Sequence, residues 1–247
     1  MPSPQGGGIF FVTKTLHSCG SPSGFASYEA PSVCMENSLA LRNELIETGR
    51  DFHRRGWSLG TSSNYSVVIQ RDPLRLLITG SGFDKGRLTP EQFVVVDDRG
   101  TRLDAAHPKP SAETHLHTLL ARTVGAGTIL HTHSVWGTLL SEANVVRGSL
   151  EISGYEMLKG LAGITTHETT VAVAIVPNTQ DIAGLADELE PRLRAGDPAL
   201  RHGFLMAGHG LYTWGADLPE ARRHVEVLEF LFEVTGKKLS LPASLSV

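Results

Sequence analysis

Apolar positions along this chain change rhythm repeatedly, between a period near 3.6 and a period of two or an unbroken apolar run. These rhythms mark helices and strands respectively. Residues 36–55 read as a helix, with Leu39, Leu45, Ile46 and Phe52 available for one face. Residues 65–70 and 74–79 read as a hairpin turning at Arg71-Asp72-Pro73. A further strand covers 92–96 and ends in the turn Asp97-Asp98-Arg99-Gly100. Residues 112–123 form a helix with Ser111 placed to cap it. The β-branched run from Gly127 to His133 predicts a buried strand, followed by a short helix over 135–142. The rest reads as a strand at 171–176, an amphipathic helix at 182–194, a strand-like stretch over 204–214 and a closing helix at 218–235. No internal repeat interrupts this order. Hairpins interspersed with helices predict one α/β domain with a mixed, largely antiparallel central sheet.

A chain of 247 residues can bury a substantial core. Residues 1–34 are rich in Gly, Ser and Pro and read as a flexible N-terminal extension, leaving 35–247 as the folded domain. A net charge of −4, with Lys and Arg scattered, gives no footprint for nucleic acid. No apolar stretch is long enough to span a bilayer, and the start lacks the pattern of a secretory signal, so a cytoplasmic protein is expected. Cys19 and Cys34, the only cysteines, are expected to stay reduced.

The chemistry begins at His131-Thr132-His133. On a strand, residues two apart project from the same face, so these imidazoles can converge on one metal ion. His209 follows another apolar run and sits between Gly208 and Gly210, which permit close backbone approach. Three imidazoles suit a catalytic zinc site that keeps one position open for substrate. Chance pairing among 11 histidines is the bland alternative. His115 and His117 also stand two apart, but on a helix they point about 200° from one another. They are expected to pack or to support the site rather than to share a metal. Tyr212 and Trp214 read as strand core.

Five separated motifs then occur in order: Gly60-Thr61-Ser62-Ser63-Asn64, Thr79-Gly80-Ser81-Gly82, Pro110-Ser111-Ala112-Glu113, His131-Thr132-His133 and Gly208-His209-Gly210. Together they resemble the class II aldolase family, over roughly residues 36–236. The resemblance implies a single three-layer α/β/α domain, one Zn2+ per subunit and a sugar-phosphate substrate. Gly154-Tyr155-Glu156-Met157-Leu158-Lys159-Gly160 and Leu211-Tyr212-Thr213-Trp214-Gly215 are most similar to the family's methylthioribulose-1-phosphate dehydratase branch, which works in methionine salvage.

By that resemblance His131, His133 and His209 are the zinc ligands, and Thr61, Asn64, Ser81, Gly82 and Ser111 hold the substrate phosphate. Hydroxyls, an amide and glycine N–H groups can cradle a phosphate without a basic cluster. Ala112 departs from the aldolases, which carry a second hydroxyl there. Lys85 is expected to be exposed, with a positive charge beside the phosphate as its alternative role. Glu113 and Glu156 are the candidate acid/base groups, Glu156 ranked first. The implied reaction is dehydration of a ketose 1-phosphate to a 2,3-diketone through a zinc-stabilised enediolate. Retro-aldol cleavage or 4-epimerisation at the same site remains open, as does a non-catalytic interaction domain on the same fold. A homotetramer is implied by the family alone.

Overall fold

The computed structural model describes residues 32–242. The expected N-terminal extension therefore lies outside the described residues, save that 32–34 already belong to the first helix. That helix, α1 (Ser32–Arg54), buries Leu45, Ile46 and Phe52, whereas Leu39 stays half-exposed and Leu41 takes its place against the core.

Eight strands form one sheet. They are β1 (Asn64–Arg71), β2 (Leu74–Thr79), β3 (Phe93–Val96), β4 (Thr128–Thr132), β5 (Ser149–Ile152), β6 (Val171–Val176), β7 (Gly203–Met206) and β8 (Gly210–Gly215). Their order is β3-β2-β1-β4-β8-β7-β6-β5, and only the β6–β7 pair is parallel. The single parallel pair is the one that needs a helical crossover, supplied by α4 (Ile182–Arg194).

Strand alternation divides the core between the two faces. Leu76, Ile78, Ile129, Phe204 and Tyr212 point towards α2 (Thr114–Thr123) and α4. Leu77 and Leu130 point the other way and pack with α1 and α5 (Leu218–Leu239). On that same face, α3 (Val135–Asn144) and α5 cover Leu205, Leu211, Val173 and Ile175. The result is a sheet between two helical layers. The run at 204–214, read as one strand-like stretch, is two antiparallel strands with a turn between them.

Among the described residues, no helix is long and apolar enough to cross a membrane.

Candidate metal centre and adjoining cleft

β4 lies beside both β1 and β8, near the middle of the sheet, and its end carries the histidines. Ile129 and His131 share a face, so the imidazole of His131 emerges where the apolar side chains stop. It is fully buried and stacks on Tyr212 with ring centroids 3.9 Å apart. Its Nδ1 lies 2.8 Å from the Leu211 carbonyl, so Nδ1–H donates there and Nε2 keeps its lone pair. His133 lies just past the strand end, with its backbone N–H donating to the Trp57 carbonyl at 2.7 Å. Ser134 next caps α3 by accepting from Gly137 N at 2.9 Å.

His209 belongs to the β7–β8 turn, where Gly208 adopts φ +64°, a conformation glycine takes without steric cost. α3 holds this turn from outside: Ser141 Oγ accepts from Gly208 N at 3.0 Å, and Thr138 Oγ1 donates to His209 O at 3.2 Å.

The three side chains meet. Nε2 of His131 is 2.8 Å from Nε2 of His133 and 3.4 Å from Nε2 of His209. One nitrogen from each residue lies within 4.8 Å of the others. Burial, with His133 and His209 adjacent, holds the His131 imidazole well below its usual pKa. His133 is held at about 4, chiefly by burial, with His209 and Lys85 adding to it. Both rings are therefore neutral near pH 7, and neutral imidazoles are what a metal needs. Each neutral imidazole can turn a lone pair to the common centre, and a divalent cation there would satisfy all three. The donor set fits a metal ion.

Glu113 stands over this cluster, its carboxylate oxygens 3.4 Å from His209 Nε2 and 3.6 Å from His131 Nε2. It sits at the N-cap position of α2 rather than inside the first turn. Ser111, expected as the cap, instead accepts from Glu113 N at 3.3 Å, three residues before the helix starts at Thr114. Glu113 is free of capping duty and turns inward, where it accepts from Asn64 Nδ2. Asn64 is oriented by His117, whose Nε2 contacts Asn64 Oδ1 while its Nδ1 meets Ser66 Oγ at 2.7 Å. Burial drives His117 down to about 3. His117 therefore supports the site through Asn64, one of the two roles expected for it. The Tyr212 phenol, buried and close to the Glu113 carboxylate, is held well above its usual range.

A hollow of about 140 Å³ adjoins the cluster. Thr61, Asn64, Ser81, Gly82 and Ser111 all line it, next to Glu113 and His133. Ser63, which the sequence did not single out for it, lines it too, as does Lys85, whose alternative role was a charge beside the phosphate. Ser63 has φ +71° and is buried, a strained conformation for a residue with a side chain. Lys85 corrects an expectation: it is not exposed but 1% accessible. Asp84 caps the short turn at Lys85–Arg87 by accepting from Gly86 N.

Glu156 is placed elsewhere. It begins a short 3-10 turn, is 69% exposed, and pairs with Lys159 and with His167 at 3.2 Å. The Lys159 ammonium holds its carboxyl below the ordinary range. Within one chain, Glu156 is not among the groups lining the cleft.

The model of the Class II Aldolase and Adducin N-terminal domain matches residues 43–235. The chain belongs to this family. A methylthioribulose-1-phosphate dehydratase of Pseudomonas aeruginosa is 47% identical over 83% of the chain and 98% of its own length. Another of that description, from Methylococcus capsulatus, is 47% identical over 77% of the chain and 90% of itself. Among solved structures, Escherichia coli YgbL superposes with TM-score 0.66 at 26% identity, covering 80% of this chain and 89% of that one. As a class II aldolase family member, the chain shares its fold with YgbL.

Proposed function

We propose that the protein is a zinc-dependent methylthioribulose-1-phosphate dehydratase, converting that ketose phosphate to 2,3-diketo-5-methylthiopentyl 1-phosphate and water. The observation that carries this reading is the junction of a three-histidine cluster with a polar hollow, on a chain 47% identical to dehydratases so described across nearly their whole length.

His131, His133 and His209 would hold the zinc ion. When bound, it supplies Lewis-acid stabilisation for the negative charge that develops at C2 and C3 as the C3 proton leaves. The rest falls to the chain. Thr61, Asn64, Ser81, Gly82 and Ser111 hold the phosphate, which fixes the sugar's C1 end beside the histidines. Glu113 is the carboxylate this geometry favours for proton transfer at C3, because its oxygens already stand 3.4 and 3.6 Å from ligand nitrogens. Asn64, locked by His117 and Ser66, holds that carboxylate in place. Departure of the C4 hydroxyl needs a proton, and Glu156 remains its proposed donor from the sequence. From its position beside Lys159 and His167 it acts only if a second copy in the expected homotetramer lays that surface over the cleft.

The deciding experiment incubates purified, zinc-loaded protein separately with methylthioribulose 1-phosphate and with fuculose 1-phosphate. Water loss from the first, with no cleavage of the second, is expected. Aldol cleavage of fuculose 1-phosphate without dehydration of the other substrate overturns the proposal.

A further inference from the structure

Among the described residues, Lys85 has no ion-pair partner. Its side chain is 1% accessible and lines the hollow. Nζ donates to two backbone carbonyls, Phe83 O at 2.7 Å and Thr61 O at 3.2 Å. An ammonium has three N–H donors, so one remains. Among the described residues, no carboxylate lies within ion-pair distance of it, although many surface lysines and arginines on this chain have one. Burial draws its pKa down to about 8, while the Asp84 and Glu113 carboxylates farther off act to raise it. The ammonium is thus still mostly protonated at neutral pH. A buried, unpaired charge is costly, and chains keep one where something else supplies the opposite charge.

Its placement is also enforced. α1 presses directly on the backbone here: a Cβ on Gly49 would lie 2.4 Å from Lys85 O, and one on Gly86 would lie 2.7 Å from the His53 ring. Asp84 accepts from Gly86 N at 2.8 Å and sets the turn. The lysine is built in from both sides, not swept there by a flexible stem.

The other groups lining the hollow are neutral hydroxyls, an amide and backbone, with Glu113 as the one anion at the histidine edge. A phosphomonoester near neutrality carries up to two negative charges, which neutral donors bind weakly against water. We infer that Lys85 is the cation that recognises the substrate phosphate and makes the enzyme select a phosphorylated ketose over its unphosphorylated counterpart. This rests on the dehydratase reading for the identity of the ketose, but not for phosphate binding itself. The two carbonyls fix the ammonium's position and the third N–H is left for a phosphate oxygen.

The test compares the zinc-loaded wild type with Lys85→Met, which keeps the length and removes the charge. Calorimetric titration with inorganic phosphate should show about 10- to 100-fold weaker binding in the variant, the worth of a hydrogen bond to a charged group. In turnover, KM for methylthioribulose 1-phosphate should rise by a similar factor, while kcat/KM for unphosphorylated methylthioribulose stays at the wild-type value. Unchanged phosphate affinity overturns the inference. So does an equal loss with both ketoses, since that marks a merely structural lysine. Wild type that binds no phosphate also overturns it. If wild type binds phosphate through Lys85 yet dehydrates nothing, the dehydratase reading falls and the inference stands. Should Lys85→Met fail to fold, wild-type crystals soaked in phosphate decide the matter. An oxygen within about 3 Å of Nζ supports the inference, and phosphate bound elsewhere overturns it.

Discussion

Asn64 shows how single side chains are recruited into this site. It opens β1 opposite His131 on β4, so sheet register alone brings it to the histidine cluster. His117 and Ser66 then fix which way its amide faces, leaving Nδ2 to donate to Glu113. The sequence motifs ranked Glu156 above Glu113, but which carboxylate faces the histidines depends on the fold, and the fold turns Glu113 inward. Glu113→Gln keeps size and polarity but loses proton exchange, so kcat should fall by about 10²–10⁴ with zinc retained. Glu156→Gln should reduce kcat comparably only if a second copy delivers that residue, and should leave substrate KM unaffected otherwise. Steady-state kinetics with parallel zinc analysis checks both. Near-normal turnover by Glu113→Gln would remove it from the proton-transfer step.

At the level of elements, the β4–β8 pair is the hinge of the whole arrangement. Two glycines allow it to form: a Cβ on Gly127 would lie 1.9 Å from Ala216 O, and one on Gly210 would lie 2.0 Å from Thr132 O. Both clashes are with backbone, which cannot swing aside. Gly127→Ala and Gly210→Ala should each cost about 1–3 kcal/mol, the usual range for overpacking. In a domain of this size that lowers Tm by about 2–4 °C per kcal/mol. They should differ in their effect on metal. Gly210 adjoins His209 and faces the strand between His131 and His133, so its variant should also lose zinc affinity. Gly127 lies at the other end of β4, and its variant should keep zinc. Equal zinc binding by the two variants would show that the His209 turn is not set by this contact. Gly210 was visible in the sequence as one of the two glycines flanking His209, but the Thr132 carbonyl it makes room for comes from a strand far away in the chain.

The molecule as a whole holds an unusual number of titratable groups in its interior. His117 is held at about 3, and burial also lowers His202 and His224. Each stays neutral in the folded protein while the unfolded chain takes up a proton below its ordinary value of 6.5. Their contribution is therefore complete above that value and is lost as pH falls. For His117 the loss is about 1.4 kcal/mol per pH unit and continues towards its folded value. Glu229 acts in the opposite sense. Buried beneath β4, with Thr132 Oγ1 donating to it at 2.7 Å, its carboxyl is raised from 4.5 to about 7. Its contribution is present below 4.5 and fades as pH rises through 7. The histidines outnumber it, so Tm of the metal-free protein should fall between about pH 7 and about pH 5. Glu229→Gln removes the opposing group and should steepen that fall. A flat Tm across this range would show that the buried histidines are accessible to protons in the folded state.

Local pattern was enough to specify most helices and strands and the shared face of His131 and His133, while the family came from five separated motifs taken in order. The reason is that hydrophobic period is a property of neighbouring residues, and a two-residue spacing on a strand fixes a shared face whatever surrounds it. The hairpin turn, the strand at Val171–Val176 and the helix at Ile182–Arg194 were read from such short-range signals. Ser111 was read as a cap because its spacing allows one; only the path of the backbone after it made Glu113 the N-cap of the helix. Lys85 is the clearest case of what tertiary structure alone decided. Its residue type favours solvent, and nothing near it in sequence states that α1 will close over the turn and leave its ammonium facing a hollow. Burial, and with it the charge environment of each titratable group, is set by contacts between distant segments, so those roles emerge only when the chain is folded.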